Sequence, residues 1–203
     1  AFLTTVPKVG ALVAMVRLVD VLPGSLPWPL LVGVLAAVTM TLGNLAALGQ
    51  TDARRLLGWS TVSQVGYLLM PVAVVGATDA AVPALLTYLV GYAVTNLTAF
   101  AVLAGDPRTR SLADSRGLGR RRPGQAAALV ISLLSLVGTP PTAVFVGKLT
   151  VFTAAWDGGL AWLVVVAAVN TVLSLAYYLR WLVPALSRPG ERDGAEELPD
   201  RPW

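Results

Sequence analysis

Two lysines are the residues of this sequence best suited to chemistry, because both stand inside apolar segments. Lys8 lies early in the first segment, and Lys148 lies about 10 Å of helix from the end of the fifth. An intramembrane lysine costs about 2.5–3.5 kcal/mol on insertion scales, so it usually faces a polar interior. We interpret Lys148 as a proton-carrying group, whereas Lys8 fits equally well as a side chain that snorkels to the membrane surface.

The segment that carries Lys148 also contains a helix break. The break consists of Gly138, Thr139, Pro140 and Pro141. Each proline lacks an N–H and clashes with the carbonyl four residues earlier, so the carbonyls of Leu136 and Val137 lose their intrahelical partners. Such breaks mark ion and substrate sites in transporters, although a kink used only for packing is the alternative. Lys148, on nearly the same helix face as the second proline, favours a site.

Other polar side chains inside the apolar segments are candidates for a polar pathway. Hydrogen bonding between helices is the commoner role of such residues, and a chain of water molecules is the alternative. The candidates are Asn96, Thr98, Ser135 and Asn170.

The sequence contains no Cys and no His. These absences exclude thiolate metal sites, iron–sulfur ligation, histidine haem ligation and a Ser-His-Asp triad in this chain. A glycine-rich phosphate loop after a strand is not apparent either. We therefore predict no cofactor-binding or metal-binding residues and no redox chemistry in this chain.

The composition indicates a multi-spanning membrane protein, since 56% of the residues are hydrophobic and only 13% are charged. A soluble domain carries about 25% charged residues. Six apolar segments reach the ~20 residues that a transmembrane helix needs. We predict an all-α membrane protein of six transmembrane helices, the fifth of them broken. The predicted spans are Leu3–Val21, Leu30–Gly49, Leu56–Gly76, Val82–Ala104, Ala126–Ala155 and Gly159–Pro184.

Eleven arginines lie in alternate connections between these spans or in the tail, whereas Arg17 and Arg180 lie inside spans. By the positive-inside rule, the arginine-bearing side and both ends of the chain face the cytoplasm. We predict that the protein lies in the plasma membrane. We predict a membrane domain over residues 1–184 and a polar cytoplasmic tail over residues 185–203. The eleven arginines of the cytoplasmic side are Arg54, Arg55, Arg108, Arg110, Arg116, Arg120, Arg121, Arg122, Arg188, Arg192 and Arg201. Trp28, Trp156 and Trp162 are expected at the outer interface, and Trp59 and Trp181 at the inner one.

Four stretches of this sequence resemble a known family, the antiporter-like membrane subunits of proton-pumping NADH:quinone oxidoreductase (respiratory complex I). Gly43–Tyr67 is similar to a family signature, and Gly138–Lys148 resembles the family's broken helix with its lysine. Val6–Val9 resembles the segment of the central lysine, and Tyr177–Arg180 is most similar to the subunit N branch. Because the chain enters apolar sequence at once without Met, we interpret it as an interior piece of a larger helical bundle.

The resemblance implies roles for individual residues. Family members have about fourteen helices, and these six resemble the eighth to the thirteenth. Lys8 would be the central lysine of a proton channel, and Lys148 the terminal lysine towards its outer exit. Many relatives carry His where Gln64 stands, and because a glutamine amide does not titrate, water must carry any proton past this position.

The function that the resemblance implies is proton translocation. Electron transfer in partner subunits would drive protons along Lys8, buried water and Lys148, so that the chain is part of a translocase. NADH, flavin, iron–sulfur clusters and quinone are expected only in partner subunits. The expected partners are other complex I membrane subunits, bilayer lipid and protons, and not nucleic acid. Two alternatives stay open: a sodium/proton antiporter subunit of the same fold, and a passive scaffold with structural lysines.

The six-span topology predicts that residues 78 and 109 lie on opposite sides of the membrane. Single cysteines introduced as Thr78→Cys and Thr109→Cys in this cysteine-free background should therefore react with an impermeant thiol reagent from opposite faces. Labelling in sealed right-side-out and inside-out vesicles measures this. Reaction of both cysteines from the same side would contradict the topology.

Overall fold

A computed structural model describes residues 2–21, 26–106 and 110–187. The predicted tail from residue 188 onward lies outside the described residues. So does Arg108, in the connection after the fourth predicted span. The described residues form helices joined by short connections, and their only strand-like pairing is one bridge between Asp52 and Ser111. The helices are α1 (Phe2–Val21), α2 (Trp28–Leu48), α3 (Ala53–Val72), α4 (Ala81–Gly105), α5 (Leu118–Arg121), α6 (Pro123–Val137), α7 (Ala143–Asp157) and α8 (Ala161–Leu186), with a 3-10 turn at Ala113–Ser115.

Every segment predicted to span the membrane is helical, which confirms the all-α class. By length and composition, however, three helices of the described residues, and not six, are long and apolar enough to cross a membrane: α2, α4 and α8. The difference has a physical cause in each remaining segment. Charged residues interrupt α1, two arginines open α3, and the fifth segment is divided into α6 and α7 of 15 residues each.

Helix α3 is the central element, packing against α1, α2, α4, α7 and α8. Its contact with α2 is close because Gly66 has no side chain. A Cβ at Gly66 would lie 2.6 Å from the Cβ of Met40, nearer than two carbon atoms can approach. Small residues let membrane helices approach one another at backbone distance. The polar residues of α3 are thereby enclosed by neighbouring helices.

Helix α7 is held against α4 by a second close approach. A Cβ at Gly147 would lie 2.7 Å from the Cα of Tyr88. Because Lys148 is the next residue along α7, this contact fixes where the lysine side chain leaves its helix. Packing between two helices therefore positions the residue that the sequence singles out.

The connection between α4 and α6 lies across one end of the bundle. Its backbone pairs with the start of α3: the Ala53 N–H donates to the Arg110 carbonyl at 2.9 Å, and the Leu112 N–H donates to the Thr51 carbonyl at 2.9 Å. Trp181, which the sequence predicts near the inner membrane interface, is fully buried beneath this connection. A buried indole needs an acceptor for its N–H, and here the N–H donates to another side chain at 2.9 Å, the Ser115 hydroxyl.

Candidate functional site

The predicted helix break is confirmed. Helix α6 ends at Val137 and α7 begins at Ala143. Gly138 ends α6 with a left-handed φ of +90°, and its N–H donates to the Ser135 carbonyl at 2.8 Å, a common glycine cap. The glycine also makes room for the lysine, since a Cβ at this position would lie 2.9 Å from the Cδ of Lys148.

The remaining residues of the break form the start of α7. Thr142 is the N-cap, and its hydroxyl oxygen accepts from the Phe145 N–H at 3.4 Å. The same hydroxyl donates to the carbonyl of Thr139 at 2.7 Å. The bond between Pro140 and Pro141 is cis. Caps on both sides therefore define the connection from α6 to α7.

Side chains from outside α6 bind the two carbonyls that the prolines free. The Leu136 carbonyl accepts from the amide of Gln64 at 3.0 Å, and the Val137 carbonyl accepts from the ammonium of Lys148 at 2.7 Å. A carbonyl left unpaired in an apolar interior costs several kcal/mol. These two bonds therefore stabilise the break and also fix Gln64 and Lys148. The sequence predicts the unpaired carbonyls, and the structure identifies their new partners.

Lys148 faces the polar interior of the bundle, as predicted, and only 4% of it is exposed. Besides the Val137 carbonyl, its ammonium donates to the Thr171 hydroxyl at 3.4 Å. The ammonium also lies over the ring of Tyr67, 4.5 Å from the ring centroid. The Tyr67 and Thr171 hydroxyls are hydrogen-bonded to each other at 3.0 Å. The lysine therefore has a carbonyl, a hydroxyl and an aromatic face as neighbours.

Lys8 is half-buried and also points into the bundle. Its ammonium donates to the Thr61 carbonyl at 3.1 Å and to the Tyr92 hydroxyl at 3.0 Å. The Tyr92 hydroxyl in turn donates to the Thr61 hydroxyl at 3.3 Å, and that hydroxyl donates to Asn96 at 3.5 Å. Of the two interpretations of Lys8, these contacts support the inward-facing lysine over the snorkelling one.

The two lysine clusters are joined through α3 and α4. Gln64 follows Thr61 by three residues on α3, and Tyr88 precedes Tyr92 by four on α4, so each pair is about one helical turn, ~5.4 Å, apart. The Tyr88 hydroxyl donates to the amide oxygen of Gln64. We call the polar groups between Lys8 and the helix break the lysine-to-lysine file. It can relay protons if water bridges the one-turn step and also carries the proton from Gln64 to Lys148, because an amide and a carbonyl do not pass protons on.

Two of the four pathway candidates lie in or beside this file. Asn96 belongs to the Lys8 cluster. Ser135 is buried next to Leu136 in the chain, and its hydroxyl is bonded to that of Thr95 at 3.1 Å.

The prediction for Thr98 is wrong. Its side chain is exposed, and its hydroxyl donates to the Val94 carbonyl of its own helix at 2.8 Å. The reason is helical geometry: two residues beyond Asn96 correspond to about 200° of rotation, which turns Thr98 away from the file.

Asn170 is buried in a cluster between α2 and α8. Asn44 donates to its side-chain oxygen at 2.9 Å, and Asn170 donates to Thr41 at 3.1 Å. Tyr177 donates to Asn44 at 3.0 Å. This is the helix-joining role that polar residues commonly have in membranes, so the pathway prediction for Asn170 is corrected.

Sequence reasoning missed the tyrosines of the site: Tyr67, Tyr88 and Tyr92. Their spacing carried a signal, since Tyr88 and Tyr92 are four residues apart and Tyr67 follows Gln64 by three. Residues at these separations share one helix face. Polar and aromatic residues with this spacing inside an apolar helix indicate a face turned towards other helices.

Comparison with known proteins establishes the family. Residues 1–174 match the transmembrane family described as NADH:quinone oxidoreductase/Mrp antiporter. The chain belongs to this family, which confirms the resemblance of its motifs. It is 62% identical to NADH-quinone oxidoreductase subunit N of Mycobacterium sp. (strain JLS) and 60% identical to subunit N 1 of Streptomyces griseus. Both alignments cover the whole chain but only 43% of the relative, so the chain spans less than half the length of these relatives.

Solved structures agree with this assignment. The fold matches a chain of respiratory complex I from Thermus thermophilus with a TM-score of 0.71 and 36% identity, over 80% of this chain and 37% of that one. It matches a chain of the Mrp complex from Dietzia sp. DQ12-45-1b with a TM-score of 0.73 and 31% identity, over 80% of this chain and 31% of that one. The chain is therefore an antiporter-like membrane protein.

The bond from Gln64 to the Leu136 carbonyl leads to a prediction about stability. Gln64→Leu leaves that carbonyl and the Tyr88 hydroxyl without their buried partner, so we expect a loss of about 1–3 kcal/mol in the free energy of unfolding. Gln64→His should lose less, because a ring N–H can replace the amide as donor. Denaturant unfolding of the complete protein in detergent measures both variants.

Gln50→Leu is the matched control. The Gln50 side chain is half-buried and bonds only within its own helix end, to the Ala46 carbonyl at 3.1 Å, so its loss should cost less than about 1 kcal/mol. Equal losses in the free energy of unfolding for Gln64→Leu and Gln50→Leu would show that the bond from Gln64 to the Leu136 carbonyl adds no stability of its own.

Proposed function

We propose that this chain is the lysine-bearing part of a proton-translocating membrane subunit of NADH:quinone oxidoreductase. The observation that carries the proposal is a buried lysine, Lys148, bonded to a carbonyl that a helix break has freed. A neutral donor could bind that carbonyl without the insertion cost of an ammonium, as the Gln64 amide does at the Leu136 carbonyl, so the positive charge indicates a role beyond structure. The names of the 62% and 60% identical relatives support the same enzyme.

In this proposal the two lysines hold protons, and the groups between them pass protons on. The hydroxyls of Thr61 and Tyr92 can each donate and accept, so they suit a relay next to Lys8. Gln64 is bonded at both ends of its amide, to Tyr88 and to the Leu136 carbonyl. It therefore orients the file, and water carries the proton past it.

The driving force comes from outside this chain. The redox cofactors, NADH, flavin, iron–sulfur clusters and quinone, belong to partner subunits of the same complex. A charge or conformational change in neighbouring membrane subunits changes the preference of Lys148 for its protonated form. Proton uptake on one side and release on the other then follow, provided that water reaches the lysine alternately from the two sides.

The proposed topology has six spans, with α6 and α7 together forming the fifth. Two of these spans, α3 and the α6–α7 pair, carry polar side chains that are compatible with a membrane because they are buried between helices. On α3, Ser60, Thr61, Ser63 and Gln64 are all buried. The arginine-bearing connections face the cytoplasm, and the protein lies in the plasma membrane.

A sodium/proton antiporter is the second candidate, favoured by the TM-score of 0.73 with the Mrp chain. The two functions differ in what transport requires. Proton pumping by the complete complex should persist when sodium is replaced by choline, whereas antiport would stop.

Substitutions of Lys148 test the proposal. Lys148→Ala in the complete complex should leave assembly intact, because removing the insertion cost of the ammonium offsets the loss of the donor to the Val137 carbonyl. It should reduce pumping below about half of the parent value. Lys148→Arg keeps the charge but cannot release its proton at working pH. If the lysine carries a proton, Arg should be impaired as well.

Protons pumped per quinone reduced, measured in membrane vesicles, is the readout. The rate of quinone reduction in the same vesicles is the control for assembly. Impaired Ala with nearly normal Arg would indicate an electrostatic anchor, and nearly normal pumping by both variants would leave Lys148 a structural residue.

A further inference from the structure

We propose that Tyr67 is a positioning residue for Lys148, and that the face of its ring holds the lysine ammonium against the Val137 carbonyl at the helix break. The inference rests on the proposed function of Lys148 and adds a residue to which neither the motif nor the fold assigns a role. It concerns the aromatic ring itself and not the tyrosine hydroxyl.

The geometry is that of a cation over an aromatic face. The Lys148 ammonium lies 4.5 Å from the centroid of the Tyr67 ring, inside the ~6 Å range over which a ring attracts a cation. Both residues are almost completely buried. Such an attraction is strongest where water is excluded, which is the situation at this site.

The Tyr67 ring is held in place by contacts that do not involve Lys148. Phe152 stacks with Tyr67 at 6.4 Å between centroids with 23° between planes, and the ring of Tyr88 lies 6.3 Å away. The Tyr67 hydroxyl donates to the Ala167 carbonyl at 3.1 Å. Contacts from α4, α7 and α8 therefore hold the ring in place.

Acidic groups are placed elsewhere in the described part of the chain. Those whose side chains are described stand at helix ends or in connections, whereas Lys148 lies within α7 and beside the break. They are Asp52, Asp79, Asp106, Asp114 and Asp157. The neighbours of the ammonium are thus the Val137 carbonyl, the Thr171 hydroxyl and the Tyr67 ring.

An aromatic face suits a lysine that must both hold and release a proton. A buried carboxylate at the same distance would form an ion pair, and breaking such a pair leaves an uncompensated charge at high cost. A ring attracts the ammonium through its quadrupole but carries no net charge. The neutral amine that remains after proton release therefore leaves no unpaired anion behind.

Fluorination of the ring separates its electrostatics from its shape. Fluorine withdraws electrons from the ring face, so pentafluorophenylalanine at position 67 keeps an aromatic side chain of similar size but loses the attraction for a cation. The comparison variant is Tyr67→Phe, which lacks only the hydroxyl. Both are introduced into the complete complex, and protons pumped per quinone reduced is measured in vesicles.

We expect Tyr67→Phe to retain most of the parent ratio, and the fluorinated ring to cause about half or more of the loss that Lys148→Ala causes. In a Lys148→Ala background the fluorinated ring should cause no further loss, because a positioning residue acts only through the group it positions. Tyr177 provides the matched control. It is a buried tyrosine of the Asn44 cluster, and the same fluorinated residue there should leave the ratio unchanged.

Equal pumping by the phenylalanine and fluorinated variants would overturn the role of Tyr67, and so would an additional loss in the Lys148→Ala background or an equal loss at position 177. If the pentafluorinated variant does not assemble, mono- and difluorinated rings supply a graded series, and a ratio that does not fall with fluorination overturns the role. Normal pumping by Lys148→Ala itself contradicts the proposed function. Loss by Lys148→Ala with no effect of ring fluorination contradicts only the role of Tyr67.

Discussion

The structure depends on one constraint: two consecutive prolines free two carbonyls in an apolar interior where they cannot remain unpaired. Water is scarce there, so other parts of the chain must supply the donors. Gln64 from α3 and Lys148 from α7 do so, at 3.0 and 2.7 Å. The same bonds bring an amide and an ammonium to one point of the bundle. Helices α3, α6 and α7 therefore meet at the helix break.

The close packing of the helices follows from this meeting point. Gly147 lets α7 approach α4 until the lysine leaves its helix opposite the break, and Gly138 leaves room for the lysine chain to pass. Helix α3 contributes contacts near both lysines. Thr61 accepts from Lys8, and one turn further along Gln64 donates to the helix break that also binds Lys148. A row of polar groups can exist in a membrane only if neighbouring helices enclose it, which is what the central position of α3 achieves.

Local chemistry was predictable from the sequence, and long-range contacts were not. The helix break, the freed carbonyls and the inward-facing Lys148 follow from proline stereochemistry and from the cost of a lysine in an apolar segment. The choice of Tyr67 as a neighbour of that lysine depends on how α3 and α7 pack, which no local pattern encodes. The prediction for Thr98 was wrong for a local reason: two residues after Asn96, the side chain leaves the opposite side of the helix. The burial of Trp181 was not predictable either, because the connection above it folds back over the bundle end.

The most direct test of this account is a cryo-electron microscopy structure of the complete protein in its membrane assembly, at a resolution that shows side chains. We predict that α6 ends at Val137, that the Val137 carbonyl lies within hydrogen-bond distance of the Lys148 ammonium, and that the Gln64 amide binds the Leu136 carbonyl. A continuous helix through residues 138–141 would contradict the account. So would a Lys148 side chain directed towards lipid, with the two carbonyls bound by other groups.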